Sequence, residues 1–325
     1  MPSSLSLLLV ILPIFAVIGA GLMVRHLKIL TEEADRSLFK LSVNLLTPCL
    51  VFDSILGNQA LKDPTNPVVA PLLGFISVAL GLFLSLALAS WAGLKRKSEQ
   101  RSFALAVGIY NWGYLALPII QTLFDKETVG VLFVFNLGVE TAMWTLGIMI
   151  LTGGGWAQGW RRILNPPVLS ILLALILNSF GARDWLPSPL LATIHLLAPC
   201  AIPLGLLLVG ASFYDQLGEV SWSRSWRVGL LACALRLALL PALFLLMLAW
   251  IPLPSEIQKI LVVQAAMPSA VFPIVLTRHY GGDAGTAFRA ILATALVSLL
   301  TIPFWISLGL KMIENSASQH PRAAA

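Results

Sequence analysis

The sequence predicts an all-α polytopic membrane protein, built of ten transmembrane helices as two inverted five-helix repeats in which proline-broken helices 4 and 9 cross. Three observations carry this. First, 58% of the 325 residues are apolar and only 11% are charged, where soluble globular chains average about 45–50% and about 25%. Too few charged side chains exist to cover a water-facing surface, so much of the solvent is hydrocarbon. Second, charge clusters and Gly/Pro clusters cut the chain into ten apolar stretches of about 20 residues, the length that crosses a roughly 30 Å hydrocarbon core. Third, motifs in the first half recur in the second at a nearly constant offset.

The ten stretches run 5–24, 37–56, 68–91, 102–124, 129–151, 167–180, 190–213, 228–251, 257–277 and 287–312. The sixth is the shortest. The first follows Met1-Pro2-Ser3-Ser4 with no Lys or Arg before it, and reads as a span rather than a cleaved signal peptide. The odd-numbered connections carry fourteen basic residues, from Arg25, Lys28, Arg36 and Lys40 through Arg161 and Arg162 to Arg278 and Arg289; the even connections and the C-terminal segment carry six. Odd connections therefore face the cytoplasm, and both termini lie outside. Seven of the ten tryptophans, Trp91, Trp156, Trp160, Trp185, Trp222, Trp226 and Trp250, mark span ends, where an amphipathic indole suits the headgroup region. The net charge of +6 thus records orientation in a membrane and does not imply a nucleic-acid partner.

The repeat rests on two matches. Leu45-Leu46-Thr47-Pro48-Cys49 in span two corresponds to Leu196-Leu197-Ala198-Pro199-Cys200 in span seven, and Leu115-Ala116-Leu117-Pro118-Ile119-Ile120 in span four to Ala270-Val271-Phe272-Pro273-Ile274-Val275 in span nine. The offsets are 151 and 155, so residues 1–155 form one five-span repeat and residues 164–313 the second. Five is odd, which inverts one repeat relative to the other. Residues 314–325 are expected to be a disordered tail.

Proline lacks an N–H and clashes with the carbonyl four residues back, so Pro118, Pro268 and Pro273 each free backbone groups that hydrocarbon cannot satisfy. Such breaks survive where they face protein or a wet cavity. Two of them crossing near the midplane would aim positive half-helix N-termini at one place, a natural anion site. Asn111 offers amide donors there without placing a charge in the membrane, and Gln264 and Ser269 offer similar chemistry from the other half. Tyr110 and Tyr114 would share one helix face with Trp112 on the other, so at most one of those sets lines the site.

Glu140 is the costliest residue in any span, and is read either as a coupling site or as the partner of Arg236, with the ion pair favoured. Asp53 lies near the outer end of span two, at the vestibule or the interface. His195 is expected to be a hydrogen-bonded packing residue rather than a ligand, Gly19, Gly21, Gly205 and Gly210 to allow close helix contact, and Cys49, Cys200 and Cys233 to be small buried side chains. No cofactor or metal is implied.

These segments resemble the auxin efflux carrier family, whose bacterial members include proposed malate and malonate permeases and whose plant members export indole-3-acetate. The resemblance is carried by Asn44-Leu45-Leu46-Thr47-Pro48-Cys49-Leu50-Val51-Phe52, by Asn111-Trp112-Gly113-Tyr114-Leu115-Ala116-Leu117-Pro118, and by Gln264 to Pro273 with Arg278-His279-Tyr280-Gly281. It implies a scaffold of spans one, two, six and seven, a transport domain of spans three to five and eight to ten, and a crossing at Pro118 and Pro273. In plant relatives an asparagine at the place of Asn111 contacts the substrate carboxylate. Their long central cytoplasmic loop is replaced here by roughly a dozen residues around Gly153, Gly154 and Gly155, so regulation through that loop is not inherited. The candidate substrate-binding set is Asn111, Gly113, Tyr114, Pro118, Gln264, Pro268, Ser269, Pro273, Asn44 and Val51. Glu140, Arg236 and Asp53 form the coupling or ion-pair set.

The implied function is secondary transport of a small organic carboxylate, auxin-like or a dicarboxylate, across a bacterial inner membrane by elevator-type alternating access. The implied partners are a small carboxylate substrate, the lipid bilayer and a homodimer mate through the scaffold. The competing readings are a sodium- or proton-coupled organic anion symporter of the bile-acid type, an anion-sensing receptor, and a membrane-embedded enzyme. Neither broken segment holds an Asp or Glu to ligate sodium, and the spans offer no convincing second carboxylate beside Glu140 and no Ser/His pair in matched halves.

Overall fold

A computed structural model describes residues 4–154, 162–217 and 226–319. The described residues are almost entirely helical. Twelve helices suffice to follow the chain: α1 (Ser4–His26), α2 (Glu32–Ile55), α3 (Thr65–Ala92), α4 (Lys97–Gly108), α5 (Ala116–Leu123), α6 (Lys126–Thr152), α7 (Pro166–Ser179), α8 (Ser188–Leu217), α9 (Trp226–Trp250), α10 (Ser255–Ala266), α11 (Phe272–His279) and α12 (Ala284–Gln319). Seven of them, α1, α2, α3, α6, α8, α9 and α12, are long and apolar enough to cross a membrane. Of the other apolar stretches, the sixth is α7, at 14 residues only about 21 Å long, and the fourth and ninth are the interrupted pairs α4–α5 and α10–α11. Helix α12 takes in residues 314–319, the first six of the expected tail. Trp156, Trp160, Arg161, Trp222, Arg224 and Gly155 lie outside the described residues.

Local chemistry sets the helix starts. Thr31 caps α2 by accepting from Ala34 N–H, with Glu32, Glu33 and Asp35 in the first turn, Asp125 caps α6 through Thr128 N–H, and Asn165 caps α7 through Val168 N–H ahead of Pro166 and Pro167. Each side-chain oxygen satisfies a donor that the first helical turn leaves unpaired, and acidic side chains favour the positive end.

Helices α2, α6 and α9 each contain one π-helical turn, at Ser42–Leu46, Met143–Gly147 and Leu235–Leu239. Two of these precede a proline, Pro48 and Pro241. Pro241 has no N–H for the carbonyl of Leu237, and that carbonyl instead accepts the indole N–H of Trp305 at 2.7 Å.

Between helices in lipid no hydrophobic effect drives association, and close approach through small residues substitutes for it. A Cβ on Gly138 would lie 1.7 Å from the carbonyl oxygen of Pro71, and one on Gly74 2.2 Å from that of Phe135, so α3 and α6 pack backbone to backbone. Gly21 and Gly210 do the same for α1 and α8, where a Cβ would meet Leu207 O at 2.2 Å and Ile18 O at 1.9 Å. That matches the expected role of these two glycines, whereas Gly19 has open space and Gly205 seats the Tyr114 ring. Of the cysteines, Cys49 is buried, Cys233 is half-buried and Cys200 is exposed.

Two helix groups result. Helices α1, α2, α7 and α8 pack on one another, as do α3 to α6 with α9 to α12, and the groups meet along α1–α12 and α2–α6.

Gly138→Val should therefore force α3 and α6 apart and cost about 1–3 kcal/mol, read as a lower melting temperature of the detergent-purified protein. Gly19→Ala should leave it unchanged. Equal melting temperatures for both variants would reject the backbone-to-backbone contact.

Candidate functional site

Helix α4 stops at Gly108 and α5 starts at Ala116; helix α10 stops at Ala266 and α11 starts at Phe272. The intervening chains run past each other in antiparallel sense, paired at Tyr110 and Ser269. Asn111 N–H donates to Pro268 O at 2.8 Å and Ala270 N–H to Ile109 O at 2.9 Å. Each break thus satisfies the other's backbone, which is the requirement for irregular chain at membrane depth.

The carbonyls left at the end of α10 are met by Arg236. Its guanidinium donates from Nε to Met267 O at 2.9 Å and from Nη2 to Gln264 O and Ala265 O at 3.3 Å each, and it stacks on Tyr110 with 4.8 Å to the ring centroid. A cation at a helix C-terminus also complements the helix dipole. The side chain is fully buried.

A cavity of about 600 Å³ lies between the two helix groups, against the break. Its wall takes Asn111, Trp112, Gly113 and Tyr114 from the first break, Ala270, Val271 and Phe272 from the second, Val51 and Thr47 from α2, and Asn136 and Glu140 from α6. Leu117 in the first turn of α5 and Phe272, the first residue of α11, are both on this wall, which brings the positive ends of two helices near the space. The carboxamide oxygen of Asn111 accepts Leu115 N–H at 3.2 Å, leaving its NH₂ group for a ligand. Asp35 and Arg36, at the start of α2, and Ser212, near the end of α8, also line it. The cavity therefore reaches the end where odd-numbered connections lie.

At the opposite end polar contacts cluster, and the ion pair among them that joins the two groups is Asp53–Lys126. Asp53 accepts from Lys126 Nζ at 3.4 Å and pairs with His195 Nδ1 at 3.1 Å, Lys259 bridges to Asp125 at 3.0 Å, and Asn178 accepts Gly57 N–H at 2.7 Å while donating to Asn58 O. Partial burial favours the neutral form of Asp125, yet hydrogen bonds from Thr128 and the Lys259 ammonium outweigh it and hold the carboxyl at about 2. This tie is therefore ionised throughout the physiological pH range.

Of the residues singled out from the sequence, Asn111, Gly113, Tyr114, Val51 and Glu140 are on the cavity wall. Pro118, Pro268, Ser269 and Pro273 shape the breaks from behind it. Gln264 is fully buried and donates to Trp112 O at 3.3 Å and Asn136 Oδ1 at 3.5 Å, so it positions the wall. Asn44 is exposed and donates to Lys40 O within its own helix.

Three expectations are corrected. Glu140 and Arg236 are not an ion pair: Glu140 Oε2 accepts Trp144 Nε1–H at 3.0 Å and Asn165 Nδ2–H at 2.9 Å, while Arg236 caps α10. The donors of Arg236 go instead to the carbonyls of Gln264, Ala265 and Met267, which the end of α10 leaves at hand. Trp112 and Tyr114 line the cavity together, because residues 109–115 are not a helix and the face argument does not apply. Tyr110 is buried and shares a hydrogen bond with Ser77 at 2.7 Å. His195 has the expected hydrogen-bond partner, Asp53, but at 73% exposed it is no packing residue.

Sequence reasoning passed over Asn136, Thr47 and Asn165. Asn136, Glu140 and Trp144 fall four apart, one polar or amphipathic face on an apolar helix, and that spacing was available. Asn165 carried no such signal, since it sits in a connection and reaches Glu140 only through the tertiary fold.

The family described as "Membrane transport protein" matches residues 7–159 and 155–306. The chain belongs to this family, which includes the auxin efflux carriers. The transporter is 24% identical over 303 residues to a transporter of Methanothermobacter thermautotrophicus and 25% identical over 311 residues to one of Methanocaldococcus jannaschii, in each case across 91% of its own length and 96% of the relative's. It is 21% identical over 325 residues to auxin efflux carrier component 8 of Arabidopsis thaliana, covering 82% and 88% of the two chains. Family and relatives are membrane transporters, not enzymes.

Arg236→Met should remove the buried donor shared by Gln264 O, Ala265 O and Met267 O and destabilise the transporter by about 3 kcal/mol, whereas Glu140→Gln should change the melting temperature little. In the double variant the two effects should add, as for sites without a shared partner. Mutual rescue would restore the ion pair.

Proposed function

We propose that the transporter moves a small organic carboxylate, auxin-like or a dicarboxylate, across the inner membrane by elevator-type alternating access. One observation carries this reading: the NH₂ of Asn111 and the N-terminal ends of α5 and α11 converge on one cavity, and all three favour an anion without placing a fixed cation in hydrocarbon. An asparagine and two helix ends bind a carboxylate reversibly, which a carrier requires.

In this reading the ten apolar stretches are ten spans in two inverted repeats, with α4–α5 and α10–α11 as the crossing spans. The group α1, α2, α7 and α8 is the scaffold, through which a homodimer would form, and the other group is the moving domain. Both termini face outward, which makes the cavity inward-facing and the Asp53–Lys126–His195 cluster the outer seal. Asp53 and His195 sit on the scaffold and Lys126 on the moving domain, so the seal must break in each cycle. Sodium coupling lacks support at the crossing, where neither break holds a carboxylate.

Flux of radiolabelled mono- and dicarboxylates into proteoliposomes tests the substrate class. Saturable uptake is expected, and none for any carboxylate would end the reading. Asn111→Ala should weaken binding about tenfold with the melting temperature unchanged, on the scale of one hydrogen bond to a charged group. Unaltered affinity would remove Asn111 from the site. Asp53→Asn should speed opening of the outer seal, seen as faster labelling of a cysteine placed at Val51. Slower or equal labelling would mean that this cluster is not a seal.

A further inference from the structure

The turn that leads into α7 joins the two helix groups a second time. Asn165 N–H donates to Ile163 O at 2.9 Å and Asn165 Nδ2 to Arg162 O at 3.4 Å, so Arg162 and Asn165 are fixed to the cap of α7. Both reach the other group. Asn165 Nδ2 donates to Glu140 Oε2 at 2.9 Å, the oxygen that also takes Trp144 Nε1–H. The Arg162 guanidinium lies 5.8 Å from the Trp144 ring centroid and 5.6 Å from that of Tyr280, and its Nη2 is 3.0 Å from His279 Nε2. One turn of chain therefore grips α6 and the end of α11.

A guanidinium carries donors and no acceptor, so its contact with His279 is a hydrogen bond only while Nε2 is bare. A proton there removes the acceptor and sets two cations 3.0 Å apart. No ion pair among the described residues includes His279 to offset this. The elements packed against α11 are α4 and α12, and their charged groups near this end have other partners. Glu99 accepts Arg96 N–H, Arg101 donates to Thr152 O, Asp283 accepts Thr286 N–H and Arg289 donates to Thr286 Oγ1. Lys97 on α4 and Arg278 beside His279 are cations, and Glu140 holds Asn165 and Trp144.

We propose that residues 162–165 are a pH-sensitive clasp: Arg162 and Asn165 hold the moving group in the conformation described, and a proton on His279 releases it. This rests on the proposal that the two groups move against each other, and is independent of the substrate. Imidazole takes up a proton between about pH 5 and 8. The Arg162–His279 bond is present at the alkaline end of that range and is lost as the pH falls through it. Arg162 and His279 are exposed and belong to odd-numbered connections, the end that the cavity reaches. Acid on that side thus shifts the population away from this conformation.

Two measurements on the full chain in nanodiscs, each at about pH 8 and about pH 5.5, test the clasp. The first is the distance distribution between nitroxides on Ile29→Cys and Trp226→Cys, exposed positions on the scaffold and the moving group, with the three native cysteines replaced. A second distance is expected to gain about fivefold in population at the lower pH, the scale of one exposed charged contact. Arg162→Met should show that gain at both pH values. His279→Gln, which keeps an acceptor for Arg162 and takes up no proton, should show it at neither. A pH response that survives His279→Gln would overturn the role of His279, and a second distance present but equal in Arg162→Met and its parent at the higher pH would overturn the clasp alone. One unchanging distance in every sample would overturn the moving group along with it. The second measurement keeps the native cysteines: a double-mutant cycle of Arg162→Met and His279→Ala on the melting temperature. The two effects should be coupled at the higher pH and additive at the lower; coupling that is equal at both, or absent at both, would overturn the proposal.

Discussion

Hydrocarbon offers no hydrogen bonds, so every backbone group within the bilayer must find a partner in the protein. The two helix breaks meet this requirement through each other, by Asn111 N–H to Pro268 O and Ala270 N–H to Ile109 O, and through Arg236, which takes three carbonyls at the end of α10. Remove that mutual satisfaction and neither break is tolerable. The cavity, its two facing helix N-termini and the placement of Asn111 all follow from it. The Trp305–Leu237 bond beside Pro241 repeats the same logic on a smaller scale.

The second constraint is how closely helices approach. Gly74 and Gly138 bring α3 and α6 to backbone contact, and Gly21 and Gly210 do so for α1 and α8. Contacts this tight belong within a group of helices. Between the groups lies the cavity, and the polar ties across that boundary include Asp53–Lys126 at one end and Asn165–Glu140 on the other side of the cavity. Strong packing inside each group and a few polar ties between them suit two bodies that move as units.

Much of this was legible in advance. Ten apolar stretches and the prolines of the breaks follow from hydropathy and from the missing N–H of proline, both properties of single residues. Asn111 was singled out for its amide donors, and it lies on the cavity wall. The errors share one cause. The face assignment of Trp112 and Tyr114 assumed helical periodicity where the chain forms an irregular turn, and the Glu140–Arg236 pair assumed that two buried opposite charges seek each other. Arg236 instead found carbonyls that exist only because α10 ends there, and Glu140 found two neutral donors, one of them from a distant connection.

The sequence by itself determined that the chain is an all-helical membrane protein, where it bends, and that its costly polar residues are few and named. Those conclusions depend on transfer free energies and backbone chemistry, which are local. Tertiary structure alone decided which polar groups meet. A buried hydrogen bond depends on distance and direction to within a few tenths of an ångström, and no sequence spacing specifies those between helices more than a hundred residues apart, as between Gln264 and Trp112 or Asp53 and His195.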